Sequence, residues 1–194
     1  MVPIALLTLL LPSVRAAGGC CAAAAAPAVR SDRSTYQLGS AWTDDAGRPL
    51  KLAELRGRPV VLAMFFTSYG YACPRIVSDM TQVRDMLPPA VRARARFVLV
   101  SFDDQRDTVP ALHAYRGLHE LPADGWVLLR GSPDDIRELA AVLGVQYKRD
   151  ALGMFEHSNL ITVLNAEGEI VHQRAGLEGG LAEVGRAVVA VNSR

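Results

Sequence analysis

The chain has 194 residues, half of them apolar, and a formal net charge of +1. That length suits one compact domain with an N-terminal extension, and so balanced a charge gives no electrostatic case for a nucleic-acid partner. Of three cysteines, Cys20 and Cys21 lie in the extension, so the folded part holds only Cys73 and closes no disulfide of its own.

Residues 1–21 read as an export segment. The apolar run from Ile4 to Leu11 is too short to span a bilayer but suits a signal-peptide core, and small residues follow it. Ala17-Gly18-Gly19-Cys20 also resembles a bacterial lipobox, with Ala17 where leucine is usual. A cleaved signal peptide and a lipid-anchored form therefore both stand. Residues 22–34, rich in alanine, read as a flexible linker, and residues 35–194 as the domain.

Within the domain, residues 36–41 and 48–52 are short strand candidates around the polar turn Thr43–Gly47, an N-terminal hairpin. Residues 60–66 are an unbroken apolar run rich in β-branched and aromatic side chains, the pattern of a strand buried on both faces. Cys73-Pro74 then opens a helical pattern to about Leu87, where Pro88-Pro89 stops it. Residues 96–102 make a second buried strand, a helix fits residues 110 to 117 or 118, and residues 126–130 make a third strand. Ser132-Pro133-Asp134-Asp135 is a helix start, with Ser132 as N-cap, and Gly144 its stop. Residues 159–164 and 169–173 flank the turn Asn165–Gly168 as a hairpin, and a helix over residues 181–191 closes the chain.

Strands alternating with helices predict an α/β domain with a central sheet flanked by helices, and the terminal hairpin makes the sheet mixed. A cysteine after the first main strand makes this a thioredoxin-like arrangement. At a helix start, Cys73 meets free amides and the positive end of the helix dipole, which favour a thiolate. The plainer reading of a lone cysteine is a small buried hydrophobe.

Three motifs carry a resemblance. Met64-Phe-Phe-Thr-Ser-Tyr-Gly-Tyr-Ala-Cys-Pro74 resembles the metal-site motif of the SCO/SenC family, thioredoxin-like proteins that deliver copper to cytochrome c oxidase. Val100-Ser-Phe-Asp-Asp-Gln-Arg-Asp-Thr108 is similar to that family's strand ending in Asp-Pro-Glu-Arg-Asp-Thr, and Phe155-Glu-His-Ser-Asn-Leu-Ile161 to its metal-histidine segment. The matches keep the family's order across roughly residues 36–191. The resemblance implies copper, as Cu(I) or Cu(II), held by two cysteine sulfurs and one histidine. Carried over, the second cysteine is Cys73 and the histidine His157, while Tyr69 stands at the first cysteine and Gly70 at the following proline. Together with the export segment it places the domain in the periplasm or on the outer face of the cytoplasmic membrane. The implied partner is the copper-bearing subunit of the oxidase, or another copper or thiol protein of the envelope.

Thiolates and imidazole suit Cu(I); a phenol with a pKa near ~10 is a poor donor. Met154 offers a thioether in place of the missing sulfur, although a methionine more often fills a gap. Asp103 and Asp107 read as loop-orienting or helix-capping residues rather than as acids or bases, Tyr69 and Tyr71 as packing residues, and His113, His119 and His172 as surface. A metallochaperone is favoured over a turnover enzyme. Two further readings remain: a monothiol redox protein using Cys73 with an external thiol, and a non-catalytic interaction module that keeps the fold without the metal.

Overall fold

The computed structural model describes residues 31–68, 72–151 and 155–192, with only the backbone at 72–74. The elements in order are β1 (Trp42–Asp44), β2 (Pro49–Leu50), β3 (Val60–Phe65), α1 (Ala72–Met86), α2 (Pro89–Arg94), β4 (Arg96–Ser101) and α3 (Val109–Leu118). There follow β5 (Trp126–Gly131), α4 (Pro133–Leu143), β6 (Tyr147–Arg149), β7 (Phe155–His157), β8 (Leu160–Leu164), β9 (Ile170–Ala175) and α5 (Leu181–Asn192).

Seven strands form one sheet in the order β2-β1-β5-β4-β3-β8-β9, and β6 pairs with β7 in a separate ribbon. At its centre β3, β4 and β5 run parallel, with β8 antiparallel to β3. Every residue of β3 is buried, and so is β4 apart from its first residue. That explains why their sequences run apolar without alternating: helices cover both faces of a parallel centre. α1 packs with α5 against β3, β8 and β9, while α3 and α4 lie on β5. The mixed α/β, thioredoxin-like sheet is thus the one the alternation predicts.

The parallel strands give the sheet two distinct ends. They begin at an entry edge, at Val60, Arg96 and Trp126, and finish at an exit edge, at Phe65, Ser101 and Gly131. Because Val60 pairs with Leu164, the β8–β9 turn also sits at the entry edge.

α4 follows its sequence signals. Ser132 Oγ accepts from the Asp135 amide at 3.2 Å, Pro133 stands in the first turn, and Gly144 closes the helix at φ +73°. Four regions differ from expectation. The first strand lies at 42–44 rather than 36–41, because residues 35–37 form a 3₁₀ turn that seats Tyr36 over Gly168. A Cβ on Gly168 would stand 2.5 Å from that ring, so glycine there is needed for the close approach as well as for its φ of +84°. Pro88-Pro89 ends α1 but also starts α2, with Pro88 as N-cap and Pro89 as the first residue. His157 stands just before β8 and itself ends a short strand that the sequence does not mark, β7, paired with Tyr147 of β6. Ser34, in the stretch read as linker, is buried and bridges to Glu169. His113 is exposed as expected, whereas His119 is half-buried and packs at a tilt against Tyr115 with ring centroids 4.2 Å apart, and His172 is half-buried too.

Candidate metal centre

The exit edge collects the motifs. β3 ends in the Phe65-Phe66 pair, and the next residue, Thr67, is held by a buried carboxylate. The Thr67 amide donates to Asp107 Oδ2 at 3.0 Å and its hydroxyl to Oδ1 at 2.5 Å, while Ser101 Oγ donates to Oδ2 at 2.5 Å. Asp107 thereby joins the last residue of β4 to the start of the segment that leads to α1. Burial pushes its carboxyl above the ordinary carboxylate range, against the pull of those hydrogen bonds. Arg130 of β5 steadies the same loop from behind, donating to the carbonyls of Asp107 at 2.9 Å and Asp104 at 3.1 Å.

Asp103 does the equivalent for the histidine ribbon. Fully buried, it accepts from Arg106 Nε at 2.5 Å and from Arg149 Nη2 of β6 at 2.8 Å. The Arg149 guanidinium also lies over the Phe155 ring at 4.7 Å. The ribbon is further pinned by Ser158, whose amide donates to the Gln146 carbonyl at 2.8 Å and whose Oγ accepts from the Gln146 amide at 2.9 Å. Both aspartates therefore orient loops, as read from sequence. Neither caps α3; Thr108 does that, accepting from Ala111.

The His157 ring rests in an aromatic box. Its centroid is 5.8 Å from Phe66, nearly perpendicular to it, and 4.9 Å from Phe102. Phe155 packs on the same two rings at 5.2 and 5.0 Å. Burial in this box pushes the imidazole pKa below its usual value, so the ring is neutral at pH 7. Nδ1 lies 3.3 Å from the Ser158 carbonyl, which can only accept. The proton of the neutral ring therefore sits on Nδ1, leaving a lone pair on Nε2, the arrangement a metal-binding histidine needs.

α1 starts at Ala72, which puts Cys73 in its first turn, at the same edge of the sheet. The Cys73 side chain, Tyr69 with Gly70 and Tyr71, and Met154 lie outside the described residues, as do Cys20 and Cys21. Among the described residues no three His, Cys, Asp or Glu side chains group as a metal site. Sequence reasoning missed the box itself and the role of Arg149. Two phenylalanines ending adjacent parallel strands, Phe66 and Phe102, were the available signal.

A thioredoxin-like sheet with a histidine and a helix-borne cysteine on its exit edge defines the class. The SCO1/SenC family model matches residues 31–186, and the chain belongs to that family. Among curated protein sequences none matches it. It is similar in structure to an SCO1/SenC family lipoprotein from Bacillus anthracis str. Ames, with TM-score 0.71, 20% identity, and 78% and 91% of the two chains covered. BsSco, of the Sco family of cytochrome c oxidase assembly proteins, superposes at TM-score 0.69 with 20% identity, over 79% of this chain and 91% of its own. Copper-bound ScoI of Arabidopsis thaliana gives 0.68 with 22% identity, over 78% and 94%. At such identities the likeness establishes the fold. Among the described residues no helix is long and apolar enough to cross a membrane.

Proposed function

We propose that this chain is an envelope protein that handles copper during cytochrome c oxidase assembly, with Cys73 and His157 as the family's two remaining ligands. The observation that carries this reading is the neutral His157 imidazole, its Nε2 lone pair without a partner among the described residues, at the edge where the Cys73 helix begins. Copper is the cargo. A thiolate from the first turn of α1 and the Nε2 of His157 would hold Cu(I), a soft ion suited to both. Two structural relatives support this: copper is bound in the Arabidopsis protein, and BsSco belongs to a family that assembles the oxidase. Residues 1–21 direct export, and Cys20 is the site of lipid attachment, as the lipoprotein relative suggests.

Tyr69 stands at the third ligand, so Cu(I) binding is weaker than a two-sulfur site would give. Losing a partner outside the ligand set already costs roughly 10–100-fold in metal affinity, and a lost thiolate costs more. Cu(I) titration against a competing chelator tests this with wild type, Tyr69→Cys and His157→Ala. Tyr69→Cys is expected to bind at least about 100-fold more tightly than wild type, and His157→Ala more weakly. Equal affinity of wild type and Tyr69→Cys would remove the tyrosine argument. No binding by either would leave an interaction module. The position of Cys73 in the first turn of α1 also favours a monothiol activity, which a thiol–disulfide exchange assay with Cys73→Ser would reveal.

A further inference from the structure

The arginines sort by place. All but seven of those described meet a carboxylate within 4.0 Å, and one of the seven, Arg130, is held by two carbonyls. The other six are Arg33, Arg56, Arg58, Arg92, Arg94 and Arg96, and all lie at the entry edge. Arg94 Nη2 donates to the Gly57 carbonyl at 3.3 Å, and the Gly57 amide to Ala166 in the β8–β9 turn at 2.8 Å. Arg96 begins β4 opposite Val60 and donates to the carbonyls of Ala93, Arg94 and Ala95 at 3.5, 3.5 and 3.1 Å, and Arg56 lies over Tyr36 at 5.9 Å. Arg33 precedes Ser34, which bridges Glu169.

The acids of this edge do not cancel the cluster. Glu54 accepts from the Lys51 amide at 2.7 Å, and Glu169 from Asn165 at 2.9 Å. Those hydrogen bonds come from neutral donors and leave both charges in place. With Asp32, Asp124 and Glu167, five acids therefore stand against the six arginines, and the excess positive charge gathers at Arg56, Arg58, Arg92, Arg94 and Arg96. Burial and then the like charge of Arg58 pull the Arg96 pKa down, with Asp124 opposing them.

Two further features share the edge. Where α1 gives way to α2, Met86 is 52% exposed and, with Pro88, Ala182, Val189 and Ala190, lines an open apolar groove of about 590 Å³. The thirty residues before Ser31 join the domain there as well, since Ser31 Oγ donates to Glu169.

We propose that the entry edge is a docking surface for an anionic lipid bilayer, with the six arginines among the headgroups and the Met86 groove at the acyl boundary. The candidate metal centre then faces away from the membrane, at the other end of six-residue strands, roughly 20 Å off. Basic side chains near an anionic surface each add attraction that salt screens. Stable anchoring of a peripheral protein takes two signals, for which a basic patch beside an N-terminal anchor qualifies. The setting rests on the envelope reading above; the surface itself does not, and neither copper nor export enters the test.

The purified full chain is mixed with vesicles of phosphatidylcholine alone or with phosphatidylglycerol, at low and high salt, and the bound fraction is read by flotation. Binding is expected to be tighter to the anionic vesicles, to weaken with salt, and to fall about 10–100-fold in Arg56→Gln/Arg58→Gln/Arg94→Gln. Lys148→Gln, on the opposite ribbon, should change nothing, and both variants should keep the wild-type melting curve. Equal binding to both lipids, or a triple variant that binds like wild type, would leave only the N-terminal segment inserting and overturn the proposal. Met86→Asp should also weaken binding. A wild-type dimer in sedimentation that Met86→Asp dissolves would assign the groove to a second copy instead.

Discussion

Asp103 and Asp107, at the exit edge, are wholly buried and each accepts several hydrogen bonds, whereas Arg58, Arg92 and Arg96, at the entry edge, meet no carboxylate among the described residues. One end of the sheet uses charge to fix loops; the other leaves its arginines without a carboxylate partner among the described residues. Buried charges must be paired and hydrogen-bonded or they destabilise, so those of the exit edge are tied to geometry: Asp107 to the segment before α1, Asp103 to the ribbon that carries His157. Exposed cations have no such obligation and are free to meet a partner. The division implies that substitutions of the buried exit-edge carboxylates change stability and site together, while those of the entry-edge arginines that meet no carboxylate change stability little and the site not at all.

The largest effect is expected behind the exit edge, where Arg174 of β9 meets Asp79 of α1. Asp79 is fully buried and accepts from Arg174 Nη1 at 2.8 Å and from Arg75 Nε at 2.9 Å. Arg174→Met removes the buried partner and leaves the carboxylate to the half-exposed Arg75. Breaking a buried pair this way costs about 3–5 kcal/mol, and Arg75 places the loss at the low end. Denaturant unfolding of the variant measures it. Asp79→Leu/Arg174→Met should recover most of the loss, since apolar replacement of both partners is often neutral. Failure to recover would show that the pair fixes α1 by more than compensating its own burial.

Next in size is Asp107. Asp107→Ala orphans the Thr67 amide and the Thr67 and Ser101 hydroxyls, and should cost about 3 kcal/mol, mostly through the buried amide. Asp107→Asn keeps an acceptor for the amide and offers a donor to a hydroxyl that can rotate. The sign with pH follows from the raised pKa. The stability that protonation of Asp107 contributes is fully present below the unfolded carboxylate value near ~3.9 and is lost as pH rises through the higher folded value. Asparagine never incurs that loss. The melting temperature of Asp107→Asn relative to wild type should therefore climb between about pH 4 and neutrality, then level off. A difference that falls over that range would mean that the ionised form is the one the loop prefers.

Much of this frame could be read from the residues alone, for physical reasons that also mark where reading stopped. β3 and β4 announce themselves because strands buried on both faces need continuous apolar runs. α4 does so because its ends are closed by its own residues, Ser132 and Gly144. The β6–β7 ribbon could not be foreseen: each strand has three residues, too few for a period, and its place is set by the distant rings of Phe66 and Phe102. For the same reason the sequence marks His157 as a candidate ligand but not which nitrogen is available, since that depends on the Ser158 carbonyl. The first strand was misplaced because Tyr36 looks like a strand residue until Gly168 offers it a flat seat. The unpaired arginines were equally hidden, as the chain's net charge of +1 conceals a fold that concentrates them at one edge.

The smallest expected effect tests the entry edge most directly. If Arg58 fastens nothing, Arg58→Gln should alter stability by no more than about 0.5 kcal/mol, the usual range for surface substitutions. The sign should favour the variant slightly, because Arg58 meets no carboxylate among the described residues while its like charge pulls the Arg96 pKa down. Salt separates this from chance. Raising ionic strength screens exposed like charges, so wild type should gain more from added salt than Arg58→Gln, and the two melting curves should converge. A loss of about 1 kcal/mol or more in the variant, unaffected by salt, would mean that Arg58 fastens the entry edge much as Arg149 fastens the histidine ribbon. A near-zero result would show a conspicuous group of cations that the fold itself does not need, leaving them available for the anionic surface to which they are assigned above.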